Sequence, residues 1–255
     1  METWKGRMPV LKIYRVAEGA VAPHGLAVAD VAASLRAGDL ALLPTETVYG
    51  IGVAVRAFSD LSAGAIELDG GRAQDAGCPA IPGERTGYGR IFTLKQRDRA
   101  QTVPWLVDGV AALDRYGDEV PSVIRELARA CWPGALTLVV PASAEVPAFM
   151  RAADGTVALR ASASPVIQTL VRACGSPLAV TSANTHGKPA PASFGAVEPR
   201  ILQGVDVAVD AGATPCRDAS TIVAVRGGEP VVLRQGALSA QRLAEVLGSG
   251  GLRTA

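Results

Sequence analysis

Histidine and paired cysteine are nearly missing from this 255-residue chain, and their scarcity removes several chemistries at once. The two histidines, His24 and His186, are too few for a conventional zinc site. The four cysteines, Cys78, Cys131, Cys174 and Cys216, stand far apart with no Cys-x-x-Cys pair, which argues for reduced thiols rather than a zinc or disulfide framework. Three familiar motifs are also missing: a Gly-x-x-x-x-Gly-Lys-Ser/Thr loop, a Gly-x-Gly-x-x-Gly after a strand, and a Gly-x-Ser-x-Gly elbow. P-loop, dinucleotide-binding and nucleophile-elbow readings are therefore disfavoured. A formal net charge of only +1 gives no global pull on nucleic acid or membrane, although a local basic patch stays open. No run reaches the roughly 18 apolar residues of a membrane span, and Met1 to Lys5 carries no apolar leader, so a cytoplasmic protein without membrane partners is expected.

Aromatics make up 4% of the chain against 49% hydrophobic residues overall, so the core must be built from Ala, Val and Leu. With 28 Gly and 17 Pro, this suits an α/β protein with many tight connections. Periodicity predicts helices at Val28 to Arg36, Ser122 to Cys131, Pro165 to Ala173 and Ala240 to Leu247. Strands are expected at Leu40 to Leu43, Pro104 to Val107, Leu136 to Val140, Thr156 to Arg160, Leu178 to Thr181, Val205 to Val209, Thr221 to Val225 and Val231 to Arg234. The last two are close enough to form an antiparallel hairpin around Gly227-Gly228. Arg90 to Lys95 reads as a strand or the end of a helix. Ala63 to Tyr88, broken by repeated Gly and Pro, reads as a long loop placed to cover a pocket. The division expected is an extension at 1–24, one domain over 25–248 with an insertion at 63–88, and a tail at 249–255.

The richest stretch is Leu43-Pro44-Thr45-Glu46-Thr47-Val48-Tyr49-Gly50-Ile51-Gly52. It leaves an apolar strand and gathers two hydroxyls, a carboxylate and two glycines into what reads as one turn, with the glycines allowing backbone to approach a ligand. Further polar residues follow predicted strand ends: Lys95 and Arg97, Ser182 and Asn184, then Ser220, Thr221 and Arg234. In an open sheet such residues converge on a crevice, and cations with hydroxyls suit a polyanion. A solvated basic surface is the competing reading for Lys95 and Arg97.

These residues, in this order, resemble the YrdC-like family of threonylcarbamoyl-AMP synthases. The resemblance runs from Pro44-Thr45-Glu46-Thr47-Val48-Tyr49-Gly50 through Lys95-Gln96-Arg97, Trp132-Pro133-Gly134-Ala135-Leu136-Thr137-Leu138 and Val157-Ala158-Leu159-Arg160. It continues in Thr181-Ser182-Ala183-Asn184, Gly187-Lys188-Pro189, Ser220-Thr221-Ile222-Val223 and Leu233-Arg234-Gln235-Gly236. It implies a twisted open mixed α/β sheet with flanking helices and a large concave cavity. It also implies that L-threonine, bicarbonate and ATP give threonylcarbamoyl-AMP and pyrophosphate, with Mg2+ beside the nucleotide, and that the product passes to tRNA-modification proteins. Carried over residue by residue, Lys95, Arg97, Ser182 and Asn184 are the catalytic set. Lys95, Thr137, Ser182, Asn184 and Arg234 hold the nucleotide, and Thr45, Thr47, Arg97 and Ser220 meet the other substrates. Tyr49 and Arg160 take supporting structural roles, and no metal ligand is expected.

The chain departs from the family pattern in places. The spacing from Thr45 to Lys95 is longer, Asp98 follows Lys-x-Arg where proline is usual, and Arg99 to Val107 lacks the usual proline-leucine pattern and histidine. Ala190 and Ala219 stand where many members carry serine and glutamate. The amino-acid half therefore looks more altered than the nucleotide half. A specialised paralogue handling another carbamoyl-adenylate, and a non-catalytic module binding nucleotide or, weakly, RNA, are the alternative readings.

Overall fold

Leu40 to Leu43 alternate strictly between two hydrophobic cores, Leu40 and Leu42 in one and Ala41 and Leu43 in the other. A strand whose successive side chains are buried on opposite faces needs cover on both sides. The computed structural model, which describes residues 11–16, 25–59, 82–248 and 252–254, supplies it. The first strand, β1 (Lys12–Arg15), is followed by α1 (Gly25–Arg36), β2 (Ala41–Pro44) and β3 (Tyr49–Ala54). Then come α2 (Gly87–Lys95), β4 (Trp105–Leu106), α3 (Ala112–Tyr116), α4 (Ser122–Cys131), β5 (Leu136–Pro141) and β6 (Thr156–Arg160). The chain continues through α5 (Pro165–Cys174), β7 (Leu178–Ser182), α6 (Pro199–Gln203), β8 (Val207–Asp210), β9 (Thr221–Arg226), β10 (Glu229–Arg234), α7 (Ala240–Leu247) and β11 (Arg253–Thr254).

The eleven strands of the described residues join one mixed sheet in the order β1-β8-β2-β3-β7-β4-β6-β5-β9-β10-β11. Helices α1 and α5 pack on one face through Val31, Leu35, Ile167 and Leu170. The other face is covered by Ile91 of α2, Ile124 and Leu127 of α4, and Leu243 of α7. The buried Ile124, Leu127 and Ala128 of α4 follow the i, i+3, i+4 stripe of an amphipathic helix. Helix α5 starts on Pro165 and ends at Gly175 with φ 60°, the proline and glycine each where a helix end favours them.

The structure revises the sequence reading at several points. Tyr49 to Gly52 is not part of a turn; it opens β3, which pairs with β2 from Pro44↔Tyr49 to Ala41↔Gly52 and lies against β7 on its other side. Nor do its glycines serve ligand approach first. A Cβ on Gly50 would stand 2.5 Å from Val180 Cγ1, and one on Gly52 would stand 2.3 Å from the Ala179 carbonyl oxygen, so both glycines let β3 close on β7. Of the two readings of Arg90 to Lys95, the end of a helix holds: Lys95 is the last residue of α2, Gln96 caps it in the left-handed region (φ 51°, ψ 45°), and Arg97 follows. The expected loop 63–88 falls outside the described residues up to 81, and at its far end Thr86 already caps α2 by accepting the Gly89 N–H at 3.0 Å. Strand β1 pairs with β8, and β11 with β10, so the sheet reaches into both segments read as extension and tail. The hairpin at Gly227 and Gly228 forms as expected, both residues having positive φ.

Substituting Gly52→Ala forces a methyl into backbone and is expected to cost about 1–3 kcal/mol. Urea unfolding checks this: the midpoint should fall at an unchanged m-value.

Candidate active site

Alternate residues of neighbouring strands share a face, and on the α1/α5 face the helices stop short of the sheet's second half. Val180 and Leu106 belong to the α1/α5 core and also line a cavity of about 400 Å3 that opens where that cover ends. Its floor is Ala158 of β6, Thr137 and Val139 of β5, and Ile222 of β9. The β2–β3 turn forms one wall, and the ends of β7, β9 and β10 form the others. Three arginines face into it: Arg97, Arg160 and Arg234.

Each guanidinium is held by the protein, but in different ways. Arg97 donates to Thr181 Oγ1 at 3.0 Å and to the Thr102 carbonyl at 2.6 Å, having been turned there by the left-handed Gln96. Arg234 donates to the carbonyl of Ser220 at 2.7 Å and to its hydroxyl at 3.2 Å, and that hydroxyl shares a 2.8 Å hydrogen bond with Thr137 Oγ1. Among the described residues neither forms an ion pair. Burial lowers the pKa of Arg97, Tyr88 opposing and Arg234 adding to it. Burial likewise lowers that of Arg234, with Arg160 adding and Asp218 opposing. Guanidinium groups close enough to repel one another, with neutral anchors only, await anionic oxygens.

Arg160 is different. Its Nε donates to the Gly134 carbonyl at 3.1 Å, its Nη1 to Thr47 Oγ1 at 3.0 Å, and its Nη2 pairs with the Glu46 carboxylate. Both side chains of this pair are about nine-tenths buried. Ser162 donates its hydroxyl to the other Glu46 oxygen. Burial alone would raise the Glu46 pKa, but Arg160 and Ser162 outweigh it and hold the carboxyl below its usual range. The turn carrying Glu46 is set by Thr45, whose Oγ1 accepts the N–H groups of Thr47 and Val48, both at 3.1 Å, and donates to the Val48 carbonyl at 2.7 Å. Tyr49 is structural: its hydroxyl donates to the Gly212 carbonyl and accepts the Ala211 N–H, and burial above all pushes its pKa up to about 12.

Of the residues picked out from the sequence, Thr45, Thr47, Arg97, Thr137, Ser182, Ser220 and Arg234 meet at this one cavity. Lys95 and Asn184 stand behind its wall. Lys95, 2% exposed, donates its ammonium to the carbonyls of Ser182 and Asn184, with Ser182 Oγ 3.4 Å away. Asn184 donates to the carbonyls of Thr185 and Lys188, closing the loop after β7. The family resemblance gives Arg160 a supporting role, and it instead lines the cavity; the alternation of β6, which puts it on the face of Ala158, carries that signal. Asp154 and Thr102 also line the cavity and carry no sequence signal, because both sit in irregular connections.

Comparison with known proteins fixes the lineage of this cavity. Residues 79–236 match the family model Sua5/YciO/YrdC, described as telomere recombination. The chain belongs to that family. A Mycobacterium tuberculosis protein provisionally named a threonylcarbamoyl-AMP synthase is 35% identical over 215 residues, which are 84% of this chain and 86% of that one. The threonylcarbamoyl-AMP synthase of Vibrio cholerae is 31% identical over 203 residues, 76% of this chain and 94% of its own length. The crystal structure of Pyrococcus abyssi Sua5 complexed with L-threonine superposes with a TM-score of 0.75 at 27% identity. That match covers 96% of this chain and 62% of the Pyrococcus chain. Among the described residues of this family member, no helix is long and apolar enough to cross a membrane.

The burial of Lys95 gives a pH signature. Burial first, then Arg97, push its pKa down to about 8, against an opposing pull from Glu198. The unfolded chain keeps Lys95 protonated to higher pH, so it binds more protons than the native state between about pH 8 and 10.5, and stability rises with pH across that window. Lys95→Met should flatten this slope when denaturation midpoints of the two proteins are compared from pH 7.5 to 10.

Proposed function

We propose that this chain joins L-threonine, bicarbonate and ATP into threonylcarbamoyl-AMP with release of pyrophosphate, as the names of its relatives imply. The observation that carries this is one cavity whose three guanidinium groups are held in two ways. Among the described residues Arg97 and Arg234 form no ion pair, whereas Arg160 brings a guanidinium paired with Glu46. The guanidinium groups without an ion pair suit a triphosphate and the paired one a zwitterionic amino acid, and a single cavity of about 400 Å3 keeps them in reach of each other.

In this reading the threonine amine captures bicarbonate as a carbamate, losing water. A carbamate oxygen then attacks the α-phosphorus of ATP, the bond to the β-phosphate oxygen breaks, and pyrophosphate leaves. No protein nucleophile is needed, so catalysis rests on alignment and on neutralising phosphate charge. Arg97 and Arg234 hold phosphate oxygens with their remaining N–H groups, and Thr137 and Ser182 orient the nucleotide. Lys95 and Asn184 act through the loop after β7, fixing Ser182 from behind. Thr45 and Thr47 shape the amino-acid wall, with Ser220 holding Arg234.

A resident magnesium does not fit the donor set. No group of three His, Cys, Asp or Glu stands ready for a metal among the described residues, and Asp154 is the single carboxylate among those lining the cavity. Magnesium would arrive on the ATP phosphates, as part of the substrate. The adenylate is a reactive mixed anhydride, which suits prompt transfer to tRNA-modification proteins in the cytoplasm.

Pyrophosphate release measured with ATP is expected to require both L-threonine and bicarbonate; release indifferent to threonine would overturn the proposal. A panel of other amino acids tests whether a related carbamoyl-adenylate is made instead. Arg97→Ala and Arg234→Ala should each lower kcat/KM by about 10- to 100-fold, the worth of a charged hydrogen bond.

A further inference from the structure

Three basic side chains line the cavity, but only one has a counter-charge built in. Of the five N–H groups of the Arg160 guanidinium, one donates to the Gly134 carbonyl and one to Thr47 Oγ1, while Nη2 is buried in its ion pair with Glu46 without a hydrogen bond among the described residues. The second N–H of Nη1 is what this side chain can offer the cavity it lines, since Nη2 is buried. Glu46 itself does not line the cavity; it stands behind Arg160, 8% exposed.

Much of the surrounding structure serves to hold Glu46 there. Ser162 donates to its free oxygen, and the Ser162 hydroxyl also accepts the Ser164 N–H at 3.2 Å, which fixes its direction. The turn bearing Glu46 is clamped by the connection from β8 to β9: Thr214 Oγ1 donates to the Thr47 carbonyl at 2.8 Å, and the Cys216 N–H to the Glu46 carbonyl at 2.9 Å. Arg97 and Arg234 show the alternative solution on the same cavity, since neutral serine, threonine and carbonyl oxygens hold a guanidinium without cancelling its charge. Anchoring alone therefore does not require a carboxylate at Arg160.

Resting on the function proposed above, we propose that Glu46 is a positioning and specificity-determining residue: it fixes Arg160 and cancels its charge, so that this end of the cavity takes a zwitterionic amino acid and rejects polyphosphate. A free amino acid carries no net charge and needs directional N–H groups for its carboxylate. A triphosphate approaching the same end would gain little from a neutralised guanidinium and would meet the Glu46 charge behind it. The pair thus keeps ATP in one orientation, with its phosphates at Arg97 and Arg234.

The test is steady-state pyrophosphate release by wild type, Glu46→Gln and the milder Ser162→Ala, with inorganic tripolyphosphate as a probe. For Glu46→Gln the KM for L-threonine should rise about tenfold or more while the KM for ATP stays within about twofold. Tripolyphosphate should compete only with ATP in wild type and with both substrates in Glu46→Gln. Ser162→Ala should move the threonine KM in the same direction by less. A merely structural role predicts instead that both KM values shift together or that kcat alone falls with the folded fraction, and either result overturns the proposal. So does an unchanged threonine KM in a variant whose thermal melt shows it folded. Should Glu46→Gln not fold, Ser162→Ala decides on the same criteria. A wild type without threonine-dependent release would overturn the proposed function itself, and the role of Glu46 with it.

Discussion

Arginine keeps its proton inside a protein, so a buried guanidinium needs either a carboxylate beside it or an anion still to come. The cavity in this chain uses both solutions. Arg160 has Glu46, and Arg97 and Arg234 have only neutral oxygens. Burial acts against the last two first, and repulsion from neighbouring guanidinium groups adds to it, Arg234 at Arg97 and Arg160 at Arg234. Binding an anion relieves that repulsion, which places the ligand's negative charge where the protein has left charge unbalanced. Strands β6 and β10 carry Arg160 and Arg234 to one concave face, and Arg97 reaches it from the loop after α2, anchored on Thr181 of β7.

The fold makes that face by leaving half of it uncovered. Helices α1 and α5 bury the side of β2, β3 and β7 that carries Ala41, Leu43 and Val180, and they do not extend over β5, β6 and β9. Small residues such as Ala158 then form a floor rather than a core. The other face, under α2, α4 and α7, is filled throughout by larger side chains such as Trp105, Leu127 and Ile124. One sheet thus has a packed side that provides stability and an open side that provides chemistry.

Strongly periodic segments are legible from the amino-acid pattern alone. Ser122–Cys131, Thr156–Arg160 and Ala240–Leu247 have the same bounds in sequence and structure, because local pattern and tertiary packing ask the same thing of them. Tyr49–Ala54 is not legible as a strand. Gly50 and Gly52 read as turn residues, and only the approach of Ala179 and Val180 explains them as a requirement of strand packing. The five-residue α3 and α6 and the two-residue β11 are too short for periodicity to register. At the site, residue types are legible and depth is not. Lys95 and Asn184 stand one layer behind the wall, and Arg160 comes forward because a period-two strand puts it on the face of Ala158.

That layering gives the Lys-x-Arg pair two jobs. Lys95 closes the loop after β7 with its ammonium, and Arg97 reaches the cavity because Gln96 reverses the chain between them. The central claim is that one cavity holds a polyphosphate at its unbalanced arginines and an amino acid at its balanced one. A crystal structure of the protein with L-threonine and a non-hydrolysable ATP analogue tests it most directly. Phosphate oxygens are expected within hydrogen-bond distance of Arg97 and Arg234, with the threonine carboxylate on Nη1 of Arg160. Phosphates seated on Arg160, or the two ligands in separate cavities, would contradict it.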